Sequence, residues 1–552
     1  MRHALAALFA LALVPGGSAA APAAEDPGHT VTLVTDDVSV PVAMAFIGPD
    51  DFLVLEKEAG RVQRFAGGTK SEVRDLAVNG CGERGLLGIA VHPDFGADVD
   101  RDWVYLYYTA AGEADDIDDC NVETTNQVDR FTWNGSTLES PTPILTLPSD
   151  EGSHNGGTLA FGPDGKLYGV IGDNQRDGRL QNNPDDMDPP DDTGIIFRLD
   201  DDGAIPTDNP FDVDHDGLDP EDKIYAYGIR NSFGLAFDPE SGDLWDTENG
   251  PEVFDEINRV LPGFNSGWRP VMGPASPNPP PGLVDLLPVS TYADPAYSIE
   301  TPVAVTALAF ATDDSALGSA YAGDLFVADF LAGQIYRFEL TGERDALDVT
   351  GPVAGSQNEL NRHRFASGFD GGIGDLEEGP DGALYAVAIG GGIYKIEGVH
   401  DLALASLKAP RRARVAAGGS VTRKLAVSVV NHGTVTETVA DLGQLGALVT
   451  LTAKALASCP APVPALEPPK HAPPFVLAPG KKLKLAYTVA LDCAAADPAE
   501  VELEWGASVG LDALGAPDAV PANDACPRAA AGDDEGCGKP PGSPIRTDVV
   551  AK

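Results

Sequence analysis

One histidine, His154, precedes an Asn-Gly-Gly turn in the segment EGSHNGGTLAFGPDGKLY that begins at Glu151. Imidazole is the side chain best suited to move protons near neutral pH, so His154 is a candidate general base. A histidine beside two glycines is also typical of a tight corner, where the ring binds backbone groups. The segment taken alone leaves both interpretations open.

A second candidate site is the acidic segment FDVDHDGLDPEDK, residues 211–223. Its alternate carboxylates resemble the first half of an EF-hand-type calcium loop, in which Gly217 permits the turn. These carboxylates are Asp212, Asp214 and Asp216. The twelfth position is Lys223 instead of Glu, so the missing oxygen would come from Asp219, Glu221 or Asp222. A solvated acidic loop without an ion is the alternative.

The elements that must position these residues are short strands in a repeated pattern. An apolar segment, a Pro-Asp or Asp turn and an aromatic strand recur six times in the first 400 residues, for example LAFGPDGKLYGVIGD from Leu159. Such β-branched and aromatic runs, punctuated by Gly, Pro and Asp, are typical of strands. The repeats predict an all-β chain with a six-bladed β-propeller over residues 30–400. The early strand HTVTLVT would complete the last blade, and a β-sandwich array is the alternative.

The net charge and the pattern of strands and turns both change near residue 400. Residues 1–401 contain 22 Lys and Arg and 70 Asp and Glu, a net charge of −48, whereas residues 402–552 contain 15 of each. An acidic half disfavours nucleic acid and anionic membrane surfaces as partners. Alternating strands over residues 405–515 predict a small immunoglobulin-like β-sandwich that binds a carbohydrate or protein ligand or acts as a spacer. Residues 516–552 are predicted to be a disulfide-tied or flexible tail.

The N-terminus and the cysteines indicate an oxidising compartment. Residues 1–24 combine basic, apolar and small residues in the order of a secretory signal peptide, so we expect a secreted or periplasmic protein without a membrane span, with an N-terminal membrane anchor as the alternative. Cysteines are common in such proteins. Six cysteines permit fifteen connectivities, and proximity along the chain favours three local pairs. These pairs are Cys81–Cys120, Cys459–Cys493 and Cys526–Cys537.

Six motifs in a fixed order make the chain similar to the glucose/sorbosone dehydrogenase family over roughly residues 35–398. They are RGLLGIAVHPDF, HNGGTLAFGPDGKLY, AIPTDNPF, YGIRNSFGLAFDP, LWDTENGPEVFDEIN and NSGWRP. The soluble members of that family are six-bladed propellers that use pyrroloquinoline quinone (PQQ) and calcium. The resemblance therefore implies the same fold and both cofactors.

The resemblance also implies roles for individual residues. His154 matches the base that takes the hydroxyl proton while the sugar's C1 hydride passes to the quinone. Arg230 and Asn231 match residues that contact the quinone. Gly250 and Pro251 match backbone carbonyls that bind the catalytic calcium.

Two further positions match polar substrate contacts in glucose-oxidising relatives, namely Glu83 and Asn174. Each of these assignments has a structural alternative, since Arg230 could instead pair with Asp255 or Glu256 and the NGP segment could be an ordinary turn.

The sequence departs from the family where cations would bind the quinone carboxylates. Leu331 takes the place of a Lys, and Gly372 and Gly374 take the places of two Arg residues. Arg362 and Arg364 lie about ten residues upstream and are the candidate replacements.

Two functions follow from the sequence. The first is a secreted quinoprotein dehydrogenase that oxidises an aldose at C1 to the lactone with PQQ and calcium, and passes electrons to an external acceptor. His154, Arg230 and Asn231 favour this enzyme. The second is a non-catalytic, calcium-stabilised propeller that binds a carbohydrate or a protein, as hedgehog-interacting proteins do. Leu331, Gly372 and Gly374 favour the second.

Overall fold

The computed structural model describes residues 21–25, 28–175, 192–276, 278–284, 289–415, 419–455, 462–492, 501–514, 525–526 and 545–551. The predicted signal peptide falls almost entirely outside these residues, as do both cysteines of the predicted pair Cys459–Cys493 and Cys537 of the third pair. The chain divides into two compact units. Of the described residues, one unit contains residues 21–25, 31–316 and 321–397, and the other contains residues 28–30, 317–320 and those from 398 onward.

The first unit contains six sheets, named blades 1 to 6 in chain order. Blade 1 consists of Pro41–Gly48, Asp51–Glu56, Arg61–Ala66 and Thr69–Asp75. Blade 2 consists of Leu86–Val91, Trp103–Thr109, Thr124–Trp133 and Leu138–Ser149. Blade 3 consists of Leu159–Phe161, Leu167–Ile171, Ile195–Leu199, Ile224–Tyr227, Phe264–Asn265 and Thr291–Tyr292.

Blade 4 consists of Ser232–Phe237, Leu244–Glu248, Asp255–Val260, Tyr297–Ile299 and Val353–Ala354. Blade 5 consists of Val305–Phe310, Leu325–Asp329, Gln334–Phe338, Arg364–Ser367 and Ala23–Ala24. Blade 6 consists of Ile373–Glu378, Leu384–Ala388, Gly392–Gly398 and His29–Thr35. The short helices of this unit are Val99–Arg101, Pro220–Lys223, Gln357–Leu360 and Asn361–His363.

The blades close into a ring. The first strand of each blade, called its inner strand here, contacts the inner strands of the blades before and after it, and blade 6 contacts blade 1. His29–Thr35 forms the outer strand of blade 6, so the N-terminal segment completes the last sheet as the sequence predicted. Clusters of buried apolar residues from neighbouring blades fill the spaces between the sheets.

The second unit is a β-sandwich, in which a four-stranded and a five-stranded sheet share one apolar core that includes Trp505. One sheet contains Leu402–Lys408, Ser420–Asn431, Lys482–Asp492 and Ala465–Leu466. The other contains Arg412–Val415, Ile545–Ala551, Val501–Val509 and Val449–Ala455, with Ala525–Cys526 paired to Val501–Val509. Glu437–Val439 pairs with Phe475–Leu477, and the helices are Leu442–Leu448 and Leu511–Leu514.

The structure confirms the predicted class, a six-bladed propeller followed by a small sandwich. It corrects the boundary at residue 515. Ile545–Ala551 pairs with both Arg412–Val415 and Val501–Val509, so the predicted tail supplies a strand of the sandwich. Without that strand the backbone edges of both neighbours would lack partners. None of the helices in the described ranges is sufficiently long and apolar to cross a bilayer.

The disulfide between Cys81 and Cys120 is confirmed. It joins the turn before the inner strand of blade 2 to the loop that connects the second and third strands of that blade. Next to it, Arg84 is fully buried and donates from Nε to Ser149 Oγ at 3.0 Å. Bridge and guanidinium together fix the segment that carries Glu83.

Replacing both cysteines by Ala should therefore lower the free energy of unfolding of the propeller by roughly 2–4 kcal/mol, because the unfolded chain loses a loop constraint. Guanidinium unfolding followed by tryptophan fluorescence would measure the change. An unchanged midpoint would show that hydrogen bonds such as those of Arg84 hold the segment without the bridge.

Candidate active site

A cavity of ≈ 1060 Å³ lies inside the ring and is lined by residues from the inner strands of all six blades. Of the residues singled out from the sequence, Glu83, His154, Arg230, Asn231, Gly250 and Pro251 line it, and so does Leu331. Asn174 does not line it, although its neighbour Gln175 does. The ring thus gathers segments that are far apart in the sequence around one space.

His154 is held by contacts on both sides of its peptide. Its φ of +58° lies in the left-handed region, which costs a non-glycine residue roughly 1–2 kcal/mol. The backbone N–H of His154 donates to Glu83 Oε2, and Asn155 accepts on its backbone oxygen from Tyr107 Oη at 2.9 Å. Gly157 must lack a side chain, because a Cβ there would lie 2.5 Å from Leu87 Cβ. Surrounding contacts therefore impose the strained conformation.

The imidazole of His154 is oriented by Asp173, with Nδ1 and Oδ1 2.5 Å apart. The other carboxylate oxygen of Asp173 accepts from Trp268 Nε1 at 2.7 Å, and Oδ1 also accepts from the Gln175 backbone at 2.8 Å. Burial alone would raise the pKa of Asp173, but these hydrogen bonds, first the one with His154, lower it below its ordinary value. An ionised Asp173 selects the tautomer with the proton on Nδ1, which leaves Nε2 as the acceptor.

Arg230 is buried beside this pair. It donates from Nη1 to Asn249 O at 2.5 Å, its backbone N–H donates to Glu248 at 2.8 Å, and its guanidinium lies 5.3 Å from the ring centre of Trp268. Burial lowers the pKa of Arg230, against the charges of neighbouring carboxylates that include Asp255. Buried polar atoms without hydrogen-bond partners in the described structure remain here, namely Arg230 Nε and Asn231 Oδ1.

The loop with Gly250 and Pro251 is fixed by Asp255. One oxygen of Asp255 accepts from the Gly250 backbone at 3.0 Å, and the other accepts from Val303 and Ala304 at 2.7 and 2.8 Å. Burial raises the pKa of Asp255, against the effect of these backbone hydrogen bonds. Gly250 and Pro251, the predicted calcium carbonyls, thus lie on a loop that the carboxylate ties to the next blade.

Asn174 and Glu83 have structural partners. Asn174 is fully buried and donates to Pro148 O at 3.2 Å, while its Oδ1 has no partner within the described residues. Glu83 uses one oxygen on the backbone of His154. Their predicted substrate contacts stay predictions.

The prediction that Arg362 and Arg364 replace the missing cations is wrong, because neither residue lines the cavity. They lie in and after the short helix Asn361–His363, at the start of Arg364–Ser367. That strand is separated from the inner strand of blade 5 by two others, and Arg364 pairs with Glu25 at 2.7 Å. They cannot replace the cations missing at Leu331, Gly372 and Gly374.

The cavity is acidic. Its described lining contains six carboxylates, Glu83, Glu252, Asp255, Asp375, Glu377 and Glu378, against the cations of Lys57 and Arg230. Burial raises the pKa of Asp375 to about 6, and burial together with the charges of Asp375 and Glu378 raises that of Glu377. Burial lowers the pKa of Lys57 to about 8. The higher pKa values reduce the negative charge of Asp375 and Glu377 near neutral pH, and a polyanionic ligand would be repelled by the fraction that is ionised.

Sequence reasoning missed Asp173, Trp268 and the carboxylates of blade 6. Asp173 follows the fully buried strand Leu167–Ile171, and Trp268 belongs to the NSGWRP motif, so both had a local signal. Blade 6 has Glu377–Glu378 where four other inner strands have Ala-Phe before the turn. That break in the repeat was visible in the sequence.

The profile of the family described as "Glucose / Sorbosone dehydrogenase" matches residues 38–394. The chain is 34% identical over 263 residues to quinoprotein glucose dehydrogenase B of Acinetobacter calcoaceticus, covering 44% of this chain and 52% of that protein. It is 33% identical over 245 residues to aldose sugar dehydrogenase YliI of Escherichia coli (strain K12), covering 43% and 61%. The matches thus span between half and two thirds of these relatives.

Among solved structures, a proposed oxidoreductase (glucose dehydrogenase) from Thermus thermophilus superposes with a TM-score of 0.53 at 30% identity. The superposition covers 67% of this chain and all of that one. The similarity therefore extends over the whole of that structure.

Asp173→Asn should destabilise the protein by about 1–3 kcal/mol at pH 7, since it removes an ionised acceptor from buried donors. The pKa of Asp173 is lower in the folded than in the unfolded state, so its contribution is complete above about pH 4 and is lost as pH falls through the folded pKa. Urea unfolding from pH 7 to pH 3 should show the gap between wild type and variant closing on the acid side. The exposed Asp313→Asn serves as control, and a gap that is constant with pH would contradict this assignment.

Proposed function

The chain belongs to the glucose/sorbosone dehydrogenase family, and on that premise we propose that it is a quinoprotein sugar dehydrogenase. It oxidises an aldose at C1 to the lactone with PQQ and calcium and passes the electrons to an external acceptor. The observation that carries the proposal is the buried His154–Asp173 pair at a cavity that also exposes Arg230 and Asn231.

The residues fit the cofactor on one side of the cavity. Arg230 Nε and Asn231 Oδ1 are polar and without partners in the described structure, as expected of groups that bind a ligand. On the other side Leu331 is 60% exposed and offers no charge to a carboxylate. Calcium on the carbonyls of Gly250 and Pro251 would offset part of this deficit, because a bound divalent ion is the largest local charge in such a site.

When bound, the quinone supplies the two-electron acceptor and the calcium ion polarises it. His154 Nε2 accepts the proton of the sugar's C1 hydroxyl, and Asp173 stabilises the imidazolium that forms. Trp268 holds Asp173 in place through its indole N–H. Arg230 and Asn231 would orient the rings of the quinone, towards which the C1–H bond of the sugar must point. Glu83 and Asn174 remain proposed substrate contacts, with Glu83 acting through the carboxylate oxygen that does not accept from His154.

A secreted or periplasmic location, an external electron acceptor and a ligand for the sandwich belong to the same proposal. The Cys81–Cys120 bridge supports an oxidising compartment. The second candidate function, a propeller that binds a partner without catalysis, is favoured by the acidic lining and by Leu331.

Purified apo-protein should bind PQQ in a calcium-dependent manner and reduce a dye with aldoses. His154→Ala and Asp173→Asn should each lower kcat by roughly 10²–10⁴. The first variant lacks the base, and in the second no carboxylate fixes the proton of His154 on Nδ1. His92→Asn is the matched control, because His92 is a buried histidine 3.4 Å from the carboxylate of Asp201 and does not line the cavity. No binding at high micromolar PQQ would reject the enzyme in favour of the binding propeller.

Leu331→Lys should tighten PQQ binding about tenfold or more, since it adds a cation at an exposed cavity position and disturbs no packed side chain. Arg364→Ala should leave the affinity unchanged, because Arg364 lies on an outer strand. Equilibrium titration by fluorescence quenching would measure both. A loss of affinity in Arg364→Ala would mean that the loop before it reaches the cofactor after all.

A further inference from the structure

The acidic loop of blade 3 gathers a different set of carboxylates from the one that the sequence pattern suggested. One oxygen each from Asp212, Asp214 and Asp222 lies within 4.8 Å of the others. Asp216 is not a member of this group, and its Oδ1 accepts the backbone N–H of Leu218 at 2.9 Å. The group thus joins Asp222, one of the residues considered for the missing oxygen, to Asp212 and Asp214, and it does not contain Asp216.

Asp212 has an unused oxygen in a buried position. The residue is only 2% exposed, and Oδ1 accepts from the Asp216 backbone at 3.2 Å. Oδ2 is buried and accepts no hydrogen bond from any described residue. An unsatisfied buried oxygen of this kind costs about 1–3 kcal/mol unless something else satisfies it.

The fold around the group holds it in place. Asn209, itself buried, donates from Nδ2 to the backbone oxygens of Arg198 and Asp222 at 3.0 and 2.8 Å. The short helix Pro220–Lys223 turns the chain back, with Asp222 Oδ2 accepting from the Asp219 backbone at 2.8 Å. Asp222 is therefore fixed beside Asp212 by contacts that do not involve Asp212.

We propose that Asp212, Asp214 and Asp222 bind one structural calcium ion. Calcium takes six to eight oxygen ligands at about 2.3–2.6 Å, so oxygens on opposite sides of the ion lie up to about 5 Å apart. The observed spacing suits that size, and a cation removes the mutual repulsion of three carboxylates and satisfies Asp212 Oδ2. Backbone oxygens and water would complete the coordination.

The ion would anchor a strand that serves the cavity. Asp222 lies two residues before Ile224–Tyr227, the strand from which the chain continues to Arg230 and Asn231. The proposed site lies in a different loop from Gly250 and Pro251 and needs neither the quinone nor a sugar.

Chelator-treated protein without quinone or sugar is the sample for the test. At a hundredfold excess of calcium over its Kd, the Tm of the wild type should rise by about 3–5 °C. Asp214→Asn should abolish most of this rise, and because Asp214 is exposed the variant should fold in chelator as the wild type does. Asp222→Asn should also abolish most of the calcium-dependent rise in Tm. Any lower Tm of this variant in chelator is a separate effect and is subtracted first.

Asp216→Asn is the matched control, since it removes the same charge from the same loop and should keep the full rise. The proposal is overturned if the wild type shows no rise or if Asp214→Asn retains it, which would place the stabilising calcium elsewhere. It is also overturned if Asp216→Asn loses the rise while Asp222→Asn keeps it, the result expected of the linear sequence pattern. Failure of quinone binding would leave this test unaffected.

Discussion

The candidate site depends on the hydrogen bonds that the ionised carboxylate of Asp173 accepts. This carboxylate is buried and yet charged, a state that only several donors can stabilise. Those donors are the imidazole of His154, the indole of Trp268 and the backbone of Gln175. They come from three chain segments, so the charge links the loop before blade 3 with the loop after its fifth strand, Phe264–Asn265. Asp173 thereby orients the imidazole of His154. It also binds the indole of Trp268, over which the guanidinium of Arg230 lies.

The closed ring explains why the site lies where it does. Six inner strands converge on one axis, and the loops at their ends must meet around the cavity. The N-terminal strand His29–Thr35 makes this closure depend on both ends of the propeller chain. Because the repeat fixes the apolar packing of most inner strands, a departure such as Glu377–Glu378 changes the electrostatics of the cavity without changing its architecture.

The sequence predicted what is local and repeated. Turn and strand signals in each copy gave six blades, and ordered motifs gave His154, Arg230, Asn231, Gly250 and Pro251, all of which line the cavity. The contact between Asp173 and Trp268 joins residues 95 positions apart and depends on how the strands are layered. The order of the strands also explains why the prediction for Arg364 was wrong. Arg364 is close in sequence to the inner strand of blade 6, but it lies on an outer strand of blade 5. The helix Pro220–Lys223 likewise brings Asp222, one of the predicted alternatives, close to Asp212 and Asp214.

The charge of the cavity decides which ligands it can hold. Six carboxylates face two cations in its described lining, and burial raises the pKa of Asp375 and Glu377, which reduces their charge near neutral pH. A neutral sugar meets hydrogen-bonding groups there without an electrostatic cost. A tricarboxylate has only Arg230 and Lys57 to oppose its charge, and burial lowers the pKa of Lys57 to about 8. If the proposed quinone binds here, a divalent cation would have to offset more of its charge than in a site with a full set of arginines.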